Sequence, residues 1–99
     1  MIDRPQAQAT AHIDNEQVTV TEWHFPPGGE TAFHRHNLDY VVVPMTTGSL
    51  QMESSEDTQV VELTIGRPYF RPAGAEHNVV NANSAEFTFI EIEVKDPTH

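Results

Sequence analysis

The sequence predicts an all-β protein, a sandwich or barrel of short strands with little or no helix. Three observations lead to this prediction. Segments rich in β-branched and aromatic residues alternate apolar with polar positions. Glycine, proline and small polar residues separate these segments at roughly even spacing. No segment shows the period of an amphipathic helix, and strand-only patterns of this kind fold as sandwiches or barrels.

We count about eight or nine short strands, each ended by a turn signal. Residues 26–29, Pro-Pro-Gly-Gly, stop the first clear strand, and the polar tip Ser-Ser-Glu-Asp at 54–57 is typical of a hairpin. Pro44 places the end of its strand at a sheet edge or a bulge. The clearest strands are Gln17–Phe25, Leu38–Met45, Leu50–Glu53, Thr58–Leu63, Tyr69–Arg71, Glu76–Asn81 and Glu86–Lys95.

The last of these strands has apolar residues on both faces. One face carries Phe87 and Phe89, and the other carries Ile90, Ile92 and Val94. We therefore expect the core on one side of it and a partner or an arm on the other. This strand and the N-terminal segment 7–13 are suited to β-pairing across a twofold axis, which predicts a homodimer.

Length and charge limit the classes of function. The 99 residues are enough for one domain, with motifs at 28–48 and 66–81 described below. Five Lys and Arg against 15 Asp and Glu give a net charge of −10, which argues against nucleic-acid or anionic-membrane partners. No apolar run is long enough to span a membrane, and no signal-peptide pattern is present, so we expect a cytoplasmic location. The lack of cysteine excludes disulfides, thiolate metal sites and a cysteine nucleophile.

Six histidines are many for this composition. His12, His24 and His99 are most simply surface or partly buried imidazoles. His34 and His36 differ, because residues two apart on a strand point to the same face. Two neutral imidazoles on one face can converge on a metal ion. The alternative is a pair of exposed loop histidines.

A second pattern surrounds the next histidine: Gly66-x5-Pro72-x-Gly74-x2-His77-x3-Asn81. Gly66 allows a tight turn, and Pro72 with Gly74 sets another turn that needs the positive φ that glycine tolerates. That turn directs His77 back across the sheet. The amide of Asn81 is placed to cap the loop backbone.

Together with Gly28-x5-His34-x-His36, this pattern resembles the two sequence motifs of the cupin superfamily. The resemblance implies a jelly roll, two antiparallel sheets closed into a small barrel, with a metal ion in its mouth. It also implies that His34, His36 and His77 are the imidazole ligands. The run His-Arg-His with Asp-Tyr-Val-Val-Val after it is similar to short cupins of amino-acid catabolism operons, including β-alanine degradation.

The first motif departs from the family where a glutamate ligand is expected, four or five residues after the second histidine. Tyr40 and Val41 occupy those positions, and Asp39 is one residue short. Three interpretations remain open: a three-histidine site with open coordination positions, a site in which Asp39 or Tyr40 supplies an oxygen, or a barrel without metal. For Tyr40, the candidate catalytic residue, a hydrogen bond to the site is favoured over direct coordination because coordination needs a strongly lowered pKa.

The alternation of residues along the strands indicates which side chains line a pocket. Phe33 flanks the first histidine, and Tyr40 continues the face of His36. Arg67 and Arg71 could bind a substrate carboxylate through paired hydrogen bonds. The alternative for both arginines is a salt bridge with one of the many acidic residues.

These residues lead to one favoured function and two alternatives. The favoured function is a mononuclear metal-dependent enzyme, dioxygenase- or isomerase-like, that acts on a small organic acid or diketone-like metabolite. The metal is one divalent transition ion: iron, nickel or zinc, with manganese or copper as further options. The alternatives are a cupin that binds or senses a small ligand without turnover, and a barrel in which the metal only holds strands together.

Overall fold

The computed structural model describes residues 4–95, and all of its regular structure is β. Each of the seven strands predicted above is present, with bounds that agree within two residues. No helix in this range is long and apolar enough to cross a membrane. The strands are β1 (Gln8–Asp14), β2 (Val18–Phe25), β3 (His34–Arg35), β4 (Asp39–Pro44), β5 (Gly48–Glu53), β6 (Thr58–Leu63), β7 (Tyr69–Arg71), β8 (Glu76–Val80) and β9 (Phe87–Val94).

The strands form two antiparallel sheets, which confirms the predicted fold class. The five-stranded sheet has the order β1-β2-β9-β4-β7, and the four-stranded sheet has the order β3-β8-β5-β6. β7 pairs with β4 only as far as Val42, and beyond it the carbonyl of Pro44 accepts from the N–H of Gly66 at 2.9 Å, so no strand there needs an N–H from position 44. A proline at that position therefore costs no ladder hydrogen bond, as the sequence predicted.

The core lies between the two sheets. Phe25, Phe87 and Leu50 are almost fully buried there, and Phe89 packs against Phe25 with ring centroids 5.5 Å apart. These residues occupy alternate strand positions, so polar and apolar residues separate by parity. The alternation in the sequence therefore creates an apolar interior. A polar side chain that points into this interior needs a hydrogen-bond partner there.

The outer face of the five-stranded sheet is also apolar. Register pairs one side chain from each strand into a continuous row: Ile13, Val20, Ile92, Val41 and Phe70. Ile13 is 46% exposed and Phe70 is 58% exposed. The N-terminal segment pairs along one edge with β2 of its own chain. The homodimer stays a prediction.

A buried asparagine fastens the end of β8 to the loop that precedes the first histidine. The side-chain amide of Asn81 donates to the carbonyl oxygens of Pro26, at 3.2 Å, and Ala85, at 2.9 Å. Its backbone N–H donates to Gly29 at 2.8 Å, and its carbonyl accepts from Gly28 at 2.8 Å. The prediction that this amide caps the loop backbone is confirmed.

Candidate metal centre

Both sequence motifs meet at one end of the four-stranded sheet. His34 on β3 is the register partner of His77 on β8. His36 lies just beyond β3, where its N–H donates to Ala75 and its carbonyl accepts from Gly74, both at 2.8 Å. Gly74 has a φ of 109°, the positive value that the motif predicted. We call His34, His36 and His77 the histidine cluster.

The three imidazoles of the histidine cluster point the same kind of nitrogen at a common centre. Nε2 of His36 lies 3.0 Å from Nε2 of His34 and 3.3 Å from Nε2 of His77. Two nitrogens bound to one ion at about 2.05 Å, with an angle between a right angle and a tetrahedral one, lie about 2.9 to 3.4 Å apart. The spacing therefore fits three ligands of a single ion.

The opposite nitrogens of two of these rings face hydrogen-bond acceptors. Nδ1 of His34 lies 2.9 Å from the carbonyl oxygen of Ala32, and Nδ1 of His36 lies 3.4 Å from a carboxylate oxygen of Glu91. Acceptors in these positions favour the tautomer with hydrogen on Nδ1, which leaves the Nε2 lone pair free. Ala32 has a φ of 76°, a strained value for a residue other than glycine, and its carbonyl is the one that faces the ring.

Burial keeps two rings of the cluster, those of His36 and His77, uncharged at neutral pH. It lowers the pKa of His36 to about 4, and the neighbouring His34 and His77 lower it further. Burial also lowers the pKa of His77 to about 4, with His34 and Arg71 acting in the same direction. Neutral imidazole is the form that binds a metal ion, so these ligands need not lose protons first.

Glu91 is a further residue of the site, which the sequence patterns described above did not identify. Its side chain is buried, accepts a hydrogen bond from Nε1 of Trp23 at 3.1 Å, and faces His36 from behind. Burial raises the pKa of Glu91 to about 7, with the nearby Glu93 raising it further. A carboxylate behind a ligating histidine fixes the orientation of its ring.

A signal for Glu91 was present in the alternation of β9. Glu91 shares its parity with Phe87 and Phe89, so it had to point into the barrel with them. A carboxylate on a core-facing position needs a partner, because an isolated buried charge is costly. The partners here are an indole and an imidazole.

The two residues considered as oxygen ligands have different surroundings. The ring of Tyr40 stacks on His36, with centroids 3.9 Å apart and an interplanar angle of 19°. Burial raises the pKa of Tyr40 to about 12, so the phenol keeps its proton. Asp39 is exposed, and its carboxylate accepts from the N–H of Ala73 at 2.8 Å.

Two openings with different lining residues reach the histidine cluster. A cavity of about 280 Å³ has His77, Tyr40 and Arg71 in its wall. A second of about 240 Å³ is lined by His34 and His36, with Glu91 among the other residues. The cluster is therefore accessible to solvent-borne molecules although its rings are largely buried.

The structure separates the other residues nominated for the pocket. Arg71 lies in the wall of the larger cavity. Phe33 is 55% exposed, and Arg67 is exposed in the turn between β6 and β7, where its N–H donates to Thr64 at 3.0 Å. Neither of these two residues lines either opening described above.

Comparisons with known proteins agree with this arrangement. No protein-family model matches the chain. The β-alanine degradation protein BauB of Pseudomonas aeruginosa is 53% identical over 95 residues, which cover 96% of this chain and all of that protein. A cupin domain of Bordetella pertussis is 57% identical in its crystal structure, with a TM-score of 0.95 over 97% of this chain and all of that one. A cupin superfamily protein of Desulfitobacterium hafniense is 17% identical, with a TM-score of 0.71 over 97% of this chain and 84% of that one, a likeness of fold alone.

Proposed function

The chain belongs to the cupin superfamily, and from this premise we propose that it is a metal-dependent enzyme acting on a small organic acid or diketone-like metabolite. His34, His36 and His77 hold one divalent transition-metal ion in this proposal. The observation that supports it most is the convergence of three Nε2 atoms, with that of His36 lying 3.0 and 3.3 Å from the other two. With hydrogen on Nδ1 of His34 and His36, the tautomer that their acceptors favour, the Nε2 lone pairs of these two rings face each other and a cation between them removes the repulsion.

The donor set fits several ions. Imidazole suits iron, nickel and zinc, while manganese and copper are further options, and three neutral ligands leave the full charge of the ion. When bound, such an ion polarises an oxygen of the substrate, which serves dioxygenase-like and isomerase-like chemistry.

The protein contributes orientation and a proton source to this chemistry. Glu91 holds the ring of His36 from behind, and Tyr40 stacks on one face of the same ring. The phenol of Tyr40 lies in the wall of the larger cavity and keeps its proton at neutral pH, because its pKa is raised to about 12. In this proposal Tyr40 donates a hydrogen bond or a proton to the substrate.

The class of substrate is supported by the BauB comparison. That relative is named for β-alanine degradation and matches over its whole length. We place the present chain in a comparable step of amino-acid catabolism, in the cytoplasm as the sequence predicts. Its partners are then a small-molecule substrate and a second copy of the chain, and not a nucleic acid or a membrane.

Metal analysis combined with an oxygen-uptake screen tests this function. The protein is purified without chelators and without an immobilised-metal column, and its metal content is measured by mass spectrometry. It is then loaded with Fe(II) and assayed with small organic acids and diketones. About one ion per chain with substrate-dependent oxygen uptake or isomerisation supports the enzyme. Bound metal with ligand binding but no turnover supports the non-catalytic alternative. Loss of folding on metal removal, with no open coordination position, supports the structural one.

For the assembly, we propose a homodimer through the outer face of the five-stranded sheet. Ile92 is the middle of the five-residue apolar row, so a twofold axis through it places the row against its own copy. The row carries no charge, which matters because two chains of net charge −10 repel each other. Light scattering should give twice the chain mass, and Ile92→Glu should give a monomer. Val60→Glu, an exposed apolar position on the other sheet, is the control. A monomeric wild-type protein at micromolar concentration contradicts the dimer.

A further inference from the structure

The five cations of the sequence divide into two groups. Arg4, Arg35 and Lys95 each lie within 2.7 to 3.1 Å of a carboxylate oxygen. Arg67 and Arg71 have no such partner in the part of the chain that the structure describes. In a chain with 15 acidic residues, an arginine without a carboxylate is unexpected. Both side chains are exposed, but Arg67 lies in a turn, whereas Arg71 lines the cavity beside the histidine cluster.

Arg71 lies next to the tyrosine that stacks on the histidine cluster. It is the register partner of Tyr40, whose ring stacks on His36. Its guanidinium lies 5.4 Å from the centroid of the Tyr69 ring, which also lines the cavity. The aromatic ring supports the guanidinium without using its N–H donors.

The acidic residues in the same wall have other partners. Glu76 accepts a hydrogen bond from Arg35 at 3.1 Å. Asp57 accepts one from the hydroxyl of Ser54 at 3.0 Å. The donors of Arg71 therefore remain available to a molecule in the cavity. A planar guanidinium matches a carboxylate through two parallel hydrogen bonds.

We propose that Arg71 binds the carboxylate of the substrate, and that the substrate is a short monocarboxylate with an oxygen-bearing group at its other end. This inference rests on the metal-dependent function proposed above, because the second group is directed at the histidine cluster. In this inference the carboxylate is the end of the substrate that a protein side chain, and not the metal ion, recognises. It also assigns different roles to the two unpaired arginines, since Arg67 takes no part.

Size and charge restrict the substrate further. The cavity of about 280 Å³ corresponds to roughly nine water volumes, which suits a small metabolite. Asp57 and Glu76 also line this cavity, and their negative charge disfavours an anion with two carboxylates more than an anion with one. Dicarboxylates should therefore bind worse than monocarboxylates.

The test compares an acid with its amide on matched arginine variants. 3-Hydroxypropanoate, 3-hydroxypropanamide and malonate are titrated by calorimetry into the zinc-loaded wild-type protein, Arg71→Gln and Arg67→Gln. We expect the acid to bind the wild type at least tenfold more tightly than the amide or malonate. Arg71→Gln should weaken binding of the acid at least tenfold, to the level of the amide, and Arg67→Gln should leave it unchanged. Arg71→Lys keeps the charge without the paired donors and should fall between them.

A second titration separates this inference from the metal proposal. The same acid and amide are added to the metal-free protein and followed by NMR chemical shifts, with a thermal melt of each variant as the check on folding. If zinc does not bind, the proposed function fails. The role of Arg71 in binding the carboxylate is still supported if the metal-free protein prefers the acid over the amide and Arg71→Gln abolishes that preference. Equal binding of the acid and the amide, in both the zinc-loaded and the metal-free protein, overturns the proposal that Arg71 binds the carboxylate. Equal effects of Arg71→Gln and Arg67→Gln also overturn it, whether or not the metal is bound.

Discussion

Histidines on the outside of the barrel behave differently from those within. His12 lies 2.8 Å from a carboxylate oxygen of Glu22, and His24 lies 3.1 Å from one of Glu86, with all four side chains well exposed. The rings of the histidine cluster face one another instead, and acceptors lie behind two of them. The residue type is the same in both groups. Strand parity and the groups behind each ring decide whether an imidazole pairs with an acid or is free to bind a cation.

The largest effect is expected from removing the ring at the middle of the cluster. His36→Ala deletes the nitrogen that lies within 3.3 Å of both of the others, and two imidazoles remain. Zinc bound after dialysis should fall from about one ion per chain to less than a tenth of that, measured by mass spectrometry, because structural affinity needs three or four protein ligands. His24→Ala is the matched control. Equal occupancy in the two variants breaks the distinction between inner and outer histidines.

The next effect separates folding from metal binding. Asn81 is fully buried, and Asn81→Ala removes the amide donor to the carbonyl of Ala85 and one of two donors to that of Pro26, which keeps the N–H of Gly29. We expect the free energy of unfolding in urea to fall by about 1 to 3 kcal/mol, since a buried group without a partner is costly. The folded fraction should still bind zinc with the wild-type stoichiometry. A stable variant that has lost its zinc would assign Asn81 a role in the site.

How much of this could be read from the sequence differs between the fold and the site. The strand positions follow from the alternation of apolar and polar residues, and the turn at Gly74 follows from the positive φ that glycine tolerates. Both signals are local to a few neighbouring residues. The placement of His36 does not, because β3 ends at Arg35 and backbone bonds to the second motif position the ring. The convergence of the histidines came from the cupin resemblance. Glu91 was missed because parity shows which face a residue takes but not which side chain it meets across the barrel.

A smaller effect tests the group behind the ring. Glu91→Gln keeps the size of the side chain but removes the carboxyl group that faces Nδ1 of His36. We expect zinc affinity to fall about 10- to 100-fold, the usual cost of losing a carboxylate that orients a ligating histidine. Competition with a chromophoric chelator measures this change. Glu22→Gln removes the acid beside an outer histidine and should leave the affinity unchanged. A similar loss of zinc affinity in both variants would show that the effect comes from the overall charge of the chain and not from the position of Glu91.

The smallest effect concerns the outer pair itself. His12 and Glu22 are 49% and 38% exposed, and a solvent-exposed ion pair contributes little. His12→Ala should change the free energy of unfolding by less than about 1 kcal/mol and should leave zinc binding as it is. Urea unfolding at pH 7 measures the first quantity. A larger loss of stability would show that the outer histidines are more than surface groups.

X-ray absorption of the zinc-loaded protein tests the central claim most directly, because it counts the imidazoles around the ion. The account predicts three histidine nitrogens at about 2.0 to 2.1 Å with the remaining positions filled by light oxygen atoms, and a loss of one imidazole in His77→Ala. A shell of carboxylate oxygens with one imidazole or none would contradict it. So would a spectrum that His77→Ala leaves unchanged.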